Sequence, residues 1–169
     1  AEMAQNYGVC GRHAVRYWVH NNMLTIEGQK MARSKGNFIT LDELFRGDHE
    51  LLEQAYSPMT IRFFTLQAHY RSEVDFANKS LQAAERGYRR LMNAMGVLEE
   101  LERPGGGTPD EELGRSIEAL LDDAYREMSD DMNTAKVLAV LFELGSRAQD
   151  FKSGTVSYTH LRAHETQRH

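Results

Sequence analysis

The chain has few of the residues that build disulfide frameworks, stiff loops or membrane spans. It holds one cysteine, Cys10, three prolines and one tryptophan in 169 residues. A single cysteine excludes an internal disulfide and an all-cysteine metal site, and a reducing, cytosolic setting is the simplest fit. No run approaches the ~18 apolar residues that a spanning helix needs. The opening AEMAQNYGVC lacks a basic start followed by an apolar stretch, so no signal peptide is expected. Apolar residues make up 41% and charged residues 27%. That is enough to build a core and argues against global disorder. The length fits one average domain or two small ones.

Net charge is −5, which weakens any claim of a generally basic nucleic-acid binder. The charge is unevenly spread. Residues 1–41 carry Arg12, Arg16, Lys30, Arg33 and Lys35 against Glu2 and Glu27, a net of +3. Residues 42–152 are net −9, and 153–169 are net +1 with three of the seven histidines.

Local signals divide the chain. Glu2 to Asn6 reads as the end of a helix whose beginning is missing, and the start as a truncation. Residues 15–26, VRYWVHNNMLTI, are β-branched and aromatic, which favours extended structure. Glu27-Gly28 supplies a turn, and 29–37, QKMARSKGN, reads as an exposed loop. Thr40-Leu-Asp-Glu43 is a capping box. Ser57-Pro58 places an N-cap and then proline ahead of MTIRFFTLQAHY. Leu81, Ala84, Tyr88, Leu91, Met95 and Leu98 follow a 3–4 spacing, the clearest amphipathic helix in the chain. Pro104 to Pro109 reads as a linker, with Thr108-Pro109 restarting a helix whose inner face holds Leu113, Ile117, Leu120 and Leu121. Asn133-Thr134 caps a last helix bearing Val137, Leu138, Leu141, Leu144 and Ala148. No fixed-period repeat occurs. The tail SGTVSYTHLRAHETQRH has no apolar period. It is similar to a translated cloning or sequencing adapter, the alternative being a natural disordered tail; a metal site at His160, His164 and His169 is the poorer reading.

The string Lys30-Met31-Ala32-Arg33-Ser34-Lys35-Gly36-Asn37 carries the most chemistry. Clustered cations on a glycine-flanked loop suit a polyphosphate, because they can meet charge that builds up as a phosphoanhydride breaks. Many basic loops are only solvated surface, so the spacing alone leaves both readings open. Cys10 reads as a small apolar filler. His69 and Arg71, in HYRS, suit capping and packing more than RNA contact. Asp130, Asp131, Asn133 and Thr134 read as a helix-start cluster, not a metal site.

KMARSKGNFIT resembles the KMSKS signature of class I aminoacyl-tRNA synthetases in its extended form KMSKSLGNF. With YWVHNNMLTIEGQKM before it, HYRSEVDFANKSL (69–81) and DDMNTAKVLAVLFEL (130–144), the chain is similar to cysteinyl-tRNA synthetases over about 1–151. The resemblance implies activation of L-cysteine by ATP with magnesium, then transfer to a cysteine-specific tRNA, in the cytoplasm and with no membrane. It implies that Lys30, Met31, Arg33 and Ser34 bind ATP and that Lys30, Arg33 and Ser34 take part in catalysis. Lys30 matches the first lysine, Met31 the methionine and Ser34 the final serine. Ala32 stands where the family often has serine. Arg33 stands at the second lysine, which keeps the charge but changes reach and geometry. AEMAQN resembles the end of HHENEIAQS, which makes Glu2 the match for a zinc-binding glutamate of the full-length parent. Zinc suits selection of cysteine because it favours thiolate sulfur. Trp18 and His20 precede the loop; each is a core or packing residue or, by the resemblance, a substrate-pocket residue.

The expected fold is mainly α: the edge of a Rossmann-like α/β catalytic domain followed by a helical bundle. The expected division is 1–47 for the catalytic edge and its loop, 48–77 for an α-rich connector, 78–152 for an incomplete helical (DALR-type) domain and 153–169 for the tail. The partner signature HIGH is nowhere in the sequence, so the chain alone is expected to be inactive. Two other functions stay open: a non-catalytic tRNA-contact or interaction module, and a relative that ligates cysteine to a small-molecule amine.

Overall fold

The computed structural model describes residues 2–100 and 111–152. The linker at Pro104 to Pro109, the helix start at Thr108-Pro109 and the tail 153–169 lie outside these residues. The described chain is mainly α: α1 Glu2–Cys10, α2 Leu41–Arg46, α3 Pro58–Leu66, α4 Asn78–Glu100, α5 Glu111–Ser129 and α6 Thr134–Lys152. Three short strands accompany them: β1 Leu24–Ile26, β2 Gln29–Lys30 and β3 Val74–Asp75.

Helix α1 runs beyond Asn6 to Cys10 and buries none of its residues. Cys10 is therefore exposed, not an apolar filler. The extended stretch expected over 15–26 pairs as a strand only at Leu24–Ile26. A strand exists through its ladder. Among the described residues no strand pairs with 13–21, and Tyr17 stands 86% exposed. Local β preference does not substitute for a partner.

β1 and β2 form an antiparallel hairpin in which Thr25 faces Lys30 and Ile26 faces Gln29. The turn between them has Glu27 at φ 51° and Gly28 at φ 74°, the two left-handed positions that match strand twist. The expected loop 29–37 thus begins as a strand. β3 joins the other side of β1 in parallel, with Leu24 opposite Val74 and Thr25 opposite Asp75, giving the order β2-β1-β3. Asp75 Oδ1 accepts from Thr25 Oγ1 at 2.8 Å and from the Gly28 N–H at 3.0 Å, locking the hairpin to β3.

The helix starts follow their local chemistry. Thr40 and Glu43 form the complete capping box of α2. Ser57 accepts from the Thr60 N–H, with proline at the first position of α3. α3 stops at Leu66, short of the His69-Tyr70 end that the pattern suggested. Asn133 Oδ1 accepts from the Lys136 N–H at the start of α6. Asn78, opening α4, holds the connector. It donates to Leu51 O at 2.8 Å and accepts from the Glu53 N–H at 3.0 Å.

One core joins sheet and helices. Ile26, Ile39, Leu44, Tyr56, Ile61, Phe63, Phe64, Phe76, Leu81, Ala84 and Leu138 are buried together. Phe64 meets Phe76 edge-on at 4.9 Å, tying α3 to the end of β3. Phe63 meets Phe142 edge-on at 6.1 Å, tying α3 to α6. α4 and α6 cross where a Cβ on Gly145 would lie 2.9 Å from that of Ala94. Only glycine permits that approach. On α5, Leu113, Ile117 and Leu120 are half-buried, whereas Leu121, expected on the inner face, is 43% exposed. It lies at the edge of the apolar stripe.

Candidate functional site

The basic loop hangs between two anchors. Lys30 ends β2, and the Met31 N–H continues the ladder into Leu24 O at 3.1 Å. The Met31 side chain is half-buried against the core. At the other end Ile39 is buried and Thr40 begins the cap of α2. Between these anchors Arg33–Lys35 forms one 3-10 turn, closed by Gly36 at φ 70° with its N–H on Arg33 O. Ala32, at the N-cap, has extended backbone but no side-chain oxygen to cap the turn.

Asn37 holds the loop's base from both sides. Its Oδ1 accepts from the Ala32 N–H at 2.9 Å, and its Nδ2 donates to Lys30 O at 3.2 Å. This role escaped the sequence reading. The available signal was an asparagine directly after a left-handed glycine, a pattern of local side-chain-to-backbone bonding. Arg33 rests its guanidinium 5.0 Å from the centre of the Phe38 ring. Lys30, Arg33, Ser34 and Lys35 are exposed, and no carboxylate among the described residues pairs with the three cations. The arrangement presents uncompensated positive charge on a base fixed by hydrogen bonds. Such a loop can receive a polyanion without first breaking an ion pair.

Trp18 and His20 stack with ring centres 6.1 Å apart and planes 7° from parallel. Trp18 is half-buried and His20 exposed. No hydrogen bond, ion pair or ring contact among the described residues joins either to the loop. Glu2 lies at the start of α1 and is exposed. Its carboxyl is held below the ordinary value chiefly by a backbone N–H. Zinc needs about four ligands converging on one point. Among the described residues no group of three or more His, Cys, Asp or Glu could hold a metal. Glu2 alone does not make a zinc site.

His69 and Arg71 lie after α3 and meet Asp131 in the turn between α5 and α6. Asp131 is thus more than a helix-start residue. Among the described residues no helix is long and apolar enough to cross a membrane.

Comparison with known proteins agrees with this arrangement. The family of class I tRNA synthetases (C), catalytic domain, matches residues 1–86. A DALR domain matches 124–167. A cysteine–tRNA ligase of Cytophaga hutchinsonii is 54% identical over 144 residues, covering 85% of this chain and 29% of that relative. One of Bacteroides fragilis is 53% identical over 142 residues, covering 84% and 28%. One of Prochlorococcus marinus is 37% identical over 155 residues, covering 85% and 30%. The chain thus spans under a third of the length of these relatives. Its catalytic-domain match takes in the whole basic loop and the sheet beneath it, and the chain belongs to the class I tRNA synthetase (C) family, that of the cysteine–tRNA ligases.

Proposed function

We propose that this chain is the part of a cysteine–tRNA ligase that closes on ATP and links the catalytic sheet to a helical tRNA-contact region. The observation that carries the reading is the loop 30–37. It offers three cations with no carboxylate partner among the described residues, on a base fixed by Met31, Asn37 and Ile39, in a chain 54% identical to a cysteine–tRNA ligase. In the reaction, a carboxylate oxygen of L-cysteine attacks the α-phosphorus of ATP and pyrophosphate leaves. A ribose hydroxyl at the tRNA 3′ end then attacks the cysteinyl carbonyl carbon. AMP leaves and the hydroxyl proton passes to solvent. Negative charge moves onto the leaving pyrophosphate in the first step. Lys30 and Arg33 face that charge, Ser34 offers a hydroxyl, and Met31 keeps the loop seated on the core. Their preorganised positive charge lowers the barrier more than it tightens ground-state binding.

Magnesium accompanies ATP as part of the substrate. Glu2 is the candidate for one zinc ligand by its match to the family sequence, and no step here runs through the metal. Trp18 and His20 are proposed to line the cysteine pocket from the stretch before β1. The proposed domain division follows the same logic: the loop and sheet in 1–47, the connector in 48–77 and the bundle in 78–152. The setting proposed for this work is the cytoplasm.

The test is cysteine-dependent exchange of pyrophosphate into ATP by the full-length ligase. Lys30→Ala should reduce it by about 10²-fold, the loss typical of one transition-state donor. The 169-residue chain alone should give no exchange, because it lacks a HIGH sequence. Full activity of Lys30→Ala would remove the catalytic reading and leave the non-catalytic interaction module.

A further inference from the structure

We propose that Asp131, in the α5–α6 turn, is a positioning residue for the basic loop, acting through residues 69–71 and strand β1. Its catalytic consequence rests on the function proposed above; the mechanical coupling does not.

The junction is dense. The Tyr70 hydroxyl donates to Asp131 Oδ1. Arg71 Nε lies 2.9 Å from Asp131 Oδ2, and its terminal nitrogen donates to Oδ1 at 3.2 Å. Arg71 Nε also donates to the Tyr70 hydroxyl at 3.0 Å. His69 Nδ1 accepts from the Arg71 N–H at 3.3 Å, which leaves Nε2 to donate to Asp131 O at 3.2 Å. The His69 and Tyr70 rings stack at 4.7 Å. Three consecutive side chains therefore converge on one residue some sixty positions away.

The backbone carbonyls of two of these residues, Tyr70 and Arg71, hold the opposite element. Tyr70 O accepts from the Asn22 N–H at 2.9 Å, and Arg71 O accepts from Asn22 Nδ2 at 2.8 Å. Asn22 Oδ1 then accepts from the Met23 N–H at 2.8 Å. Met23 O receives the Val74 N–H, Thr25 O the Phe76 N–H and Leu24 O the Met31 N–H. Met31 is the second residue of the basic loop's string. An unbroken path of hydrogen bonds and peptide links runs from Asp131 to the loop base.

A second observation supports a mechanical role. Asp131 and Met132 are consecutive non-glycine residues at φ 59° and φ 54°. Aspartate visits that region with modest cost, methionine rarely. Such backbone persists where surrounding bonds over-determine it. The bonds from Tyr70, Arg71 and His69 supply that determination at Asp131, so the turn and the sheet edge are held in one mutual arrangement.

The test is amide hydrogen exchange by NMR on the 169-residue chain, with Asp131→Ala and, separately, Tyr70→Phe. Asp131→Ala should speed exchange at Asn22, Met31 and Ala32 by about tenfold, since charged hydrogen bonds that stabilise a local closed state are lost. Leu81 and Ala84, buried in α4, should keep their rates. Tyr70→Phe should give a smaller change in the same amides, and the double variant should fall short of the summed effects. Unchanged rates overturn the proposal. So does acceleration at Asn22 alone, which would make the junction a local clasp. Acceleration everywhere, including Leu81 and Ala84, also overturns it, leaving Asp131 as a general stability residue. Single-turnover adenylate formation by the full-length ligase forms a separate arm, in which Asp131→Ala should lower the rate constant severalfold. Faster loop exchange with an unchanged rate constant would count against the proposed function and leave the coupling standing.

Discussion

Arg33 offers the sharpest measurement, because its resting contact and its proposed working contact can be weighed against each other. At rest the guanidinium sits 5.0 Å from the Phe38 ring centre, on the surface. An exposed cation–π contact of this kind is worth about 0.5–1 kcal/mol. A cation meeting charge on a leaving pyrophosphate is worth about 2–4 kcal/mol in the transition state. On the proposed function the second term wins, so Arg33 is expected to leave the ring when the phosphoanhydride breaks. Arg33→Ala in the full-length ligase should slow cysteinyl-adenylate formation by about 10²-fold or more, with a smaller change in the ATP KM. Arg33→Lys should retain or improve the rate, since lysine restores the family pattern. Phe38→Leu should raise the rate by at most about fivefold, because it removes only the resting well. Rapid-quench measurement of adenylate in a single turnover separates these outcomes. If Arg33→Ala were as fast as the parent, the loop would not act on the transferring phosphate. If Phe38→Leu were tenfold slower, the ring would be holding the loop in its working position and the two-well argument would fail.

Two further predictions concern the scaffold. Gly47 ends α2 at φ 70°, and a Cβ there would lie 2.5 Å from the Ala55 backbone nitrogen; Gly47→Ala should cost about 2–4 kcal/mol, visible as a thermal midpoint lowered by more than about 5 °C. The Asp131 carboxyl lies below its ordinary value, chiefly through the Tyr70 hydroxyl and then the charge of Arg71, and the Thr40 N–H and hydroxyl do the same for Glu43. A depressed carboxyl contributes stability that is present above the unfolded value, near pH 4, and is lost as pH falls through the lower folded value. The thermal midpoints of the parent and of Asp131→Asn should therefore converge as the pH falls below about 4; a gap that stays constant as the pH is lowered would refute the assignment.

The parts of this fold that could be read from the sequence are those whose causes are local. Thr40-Glu43, Ser57-Pro58 and Asn133-Thr134 each meet their own helix's unpaired amides within three residues. The α4 stripe buries Leu81, Ala84 and Ala94, although Ala94 was not among the residues whose spacing marked the helix. The strand was legible in composition and not in extent. Residues 15–23 have the β-branched and aromatic content of a strand, but only Leu24–Ile26 finds neighbours in β2 and β3. Partner supply is a property of the whole fold, and no window of sequence contains it.

The candidate site shows the same boundary at closer range. The string 30–37 stood out because charge and glycine cluster within eight positions, and Lys30, Met31, Arg33 and Ser34 were picked out within it by their resemblance to the KMSKS signature. Asn37 lies in that same string, yet its role depends on where its amide points, which composition does not encode. His69, Tyr70 and Arg71 read as a helix end, and Asp131 as a helix start. The helices themselves stop at Leu66 and start at Thr134, so both groups lie in turns beyond the helices they were read into, and neither description includes their side chains. What joins them is contact in space across about sixty residues of sequence. A carboxylate that caps its own helix turns its oxygens toward amides two or three residues on. Asp131 instead turns its oxygens outward to a phenol and a guanidinium, and Asn133 takes the capping duty. That division of labour between two polar residues of one turn frees Asp131 to reach the next element, and it explains why the junction forms just before α6.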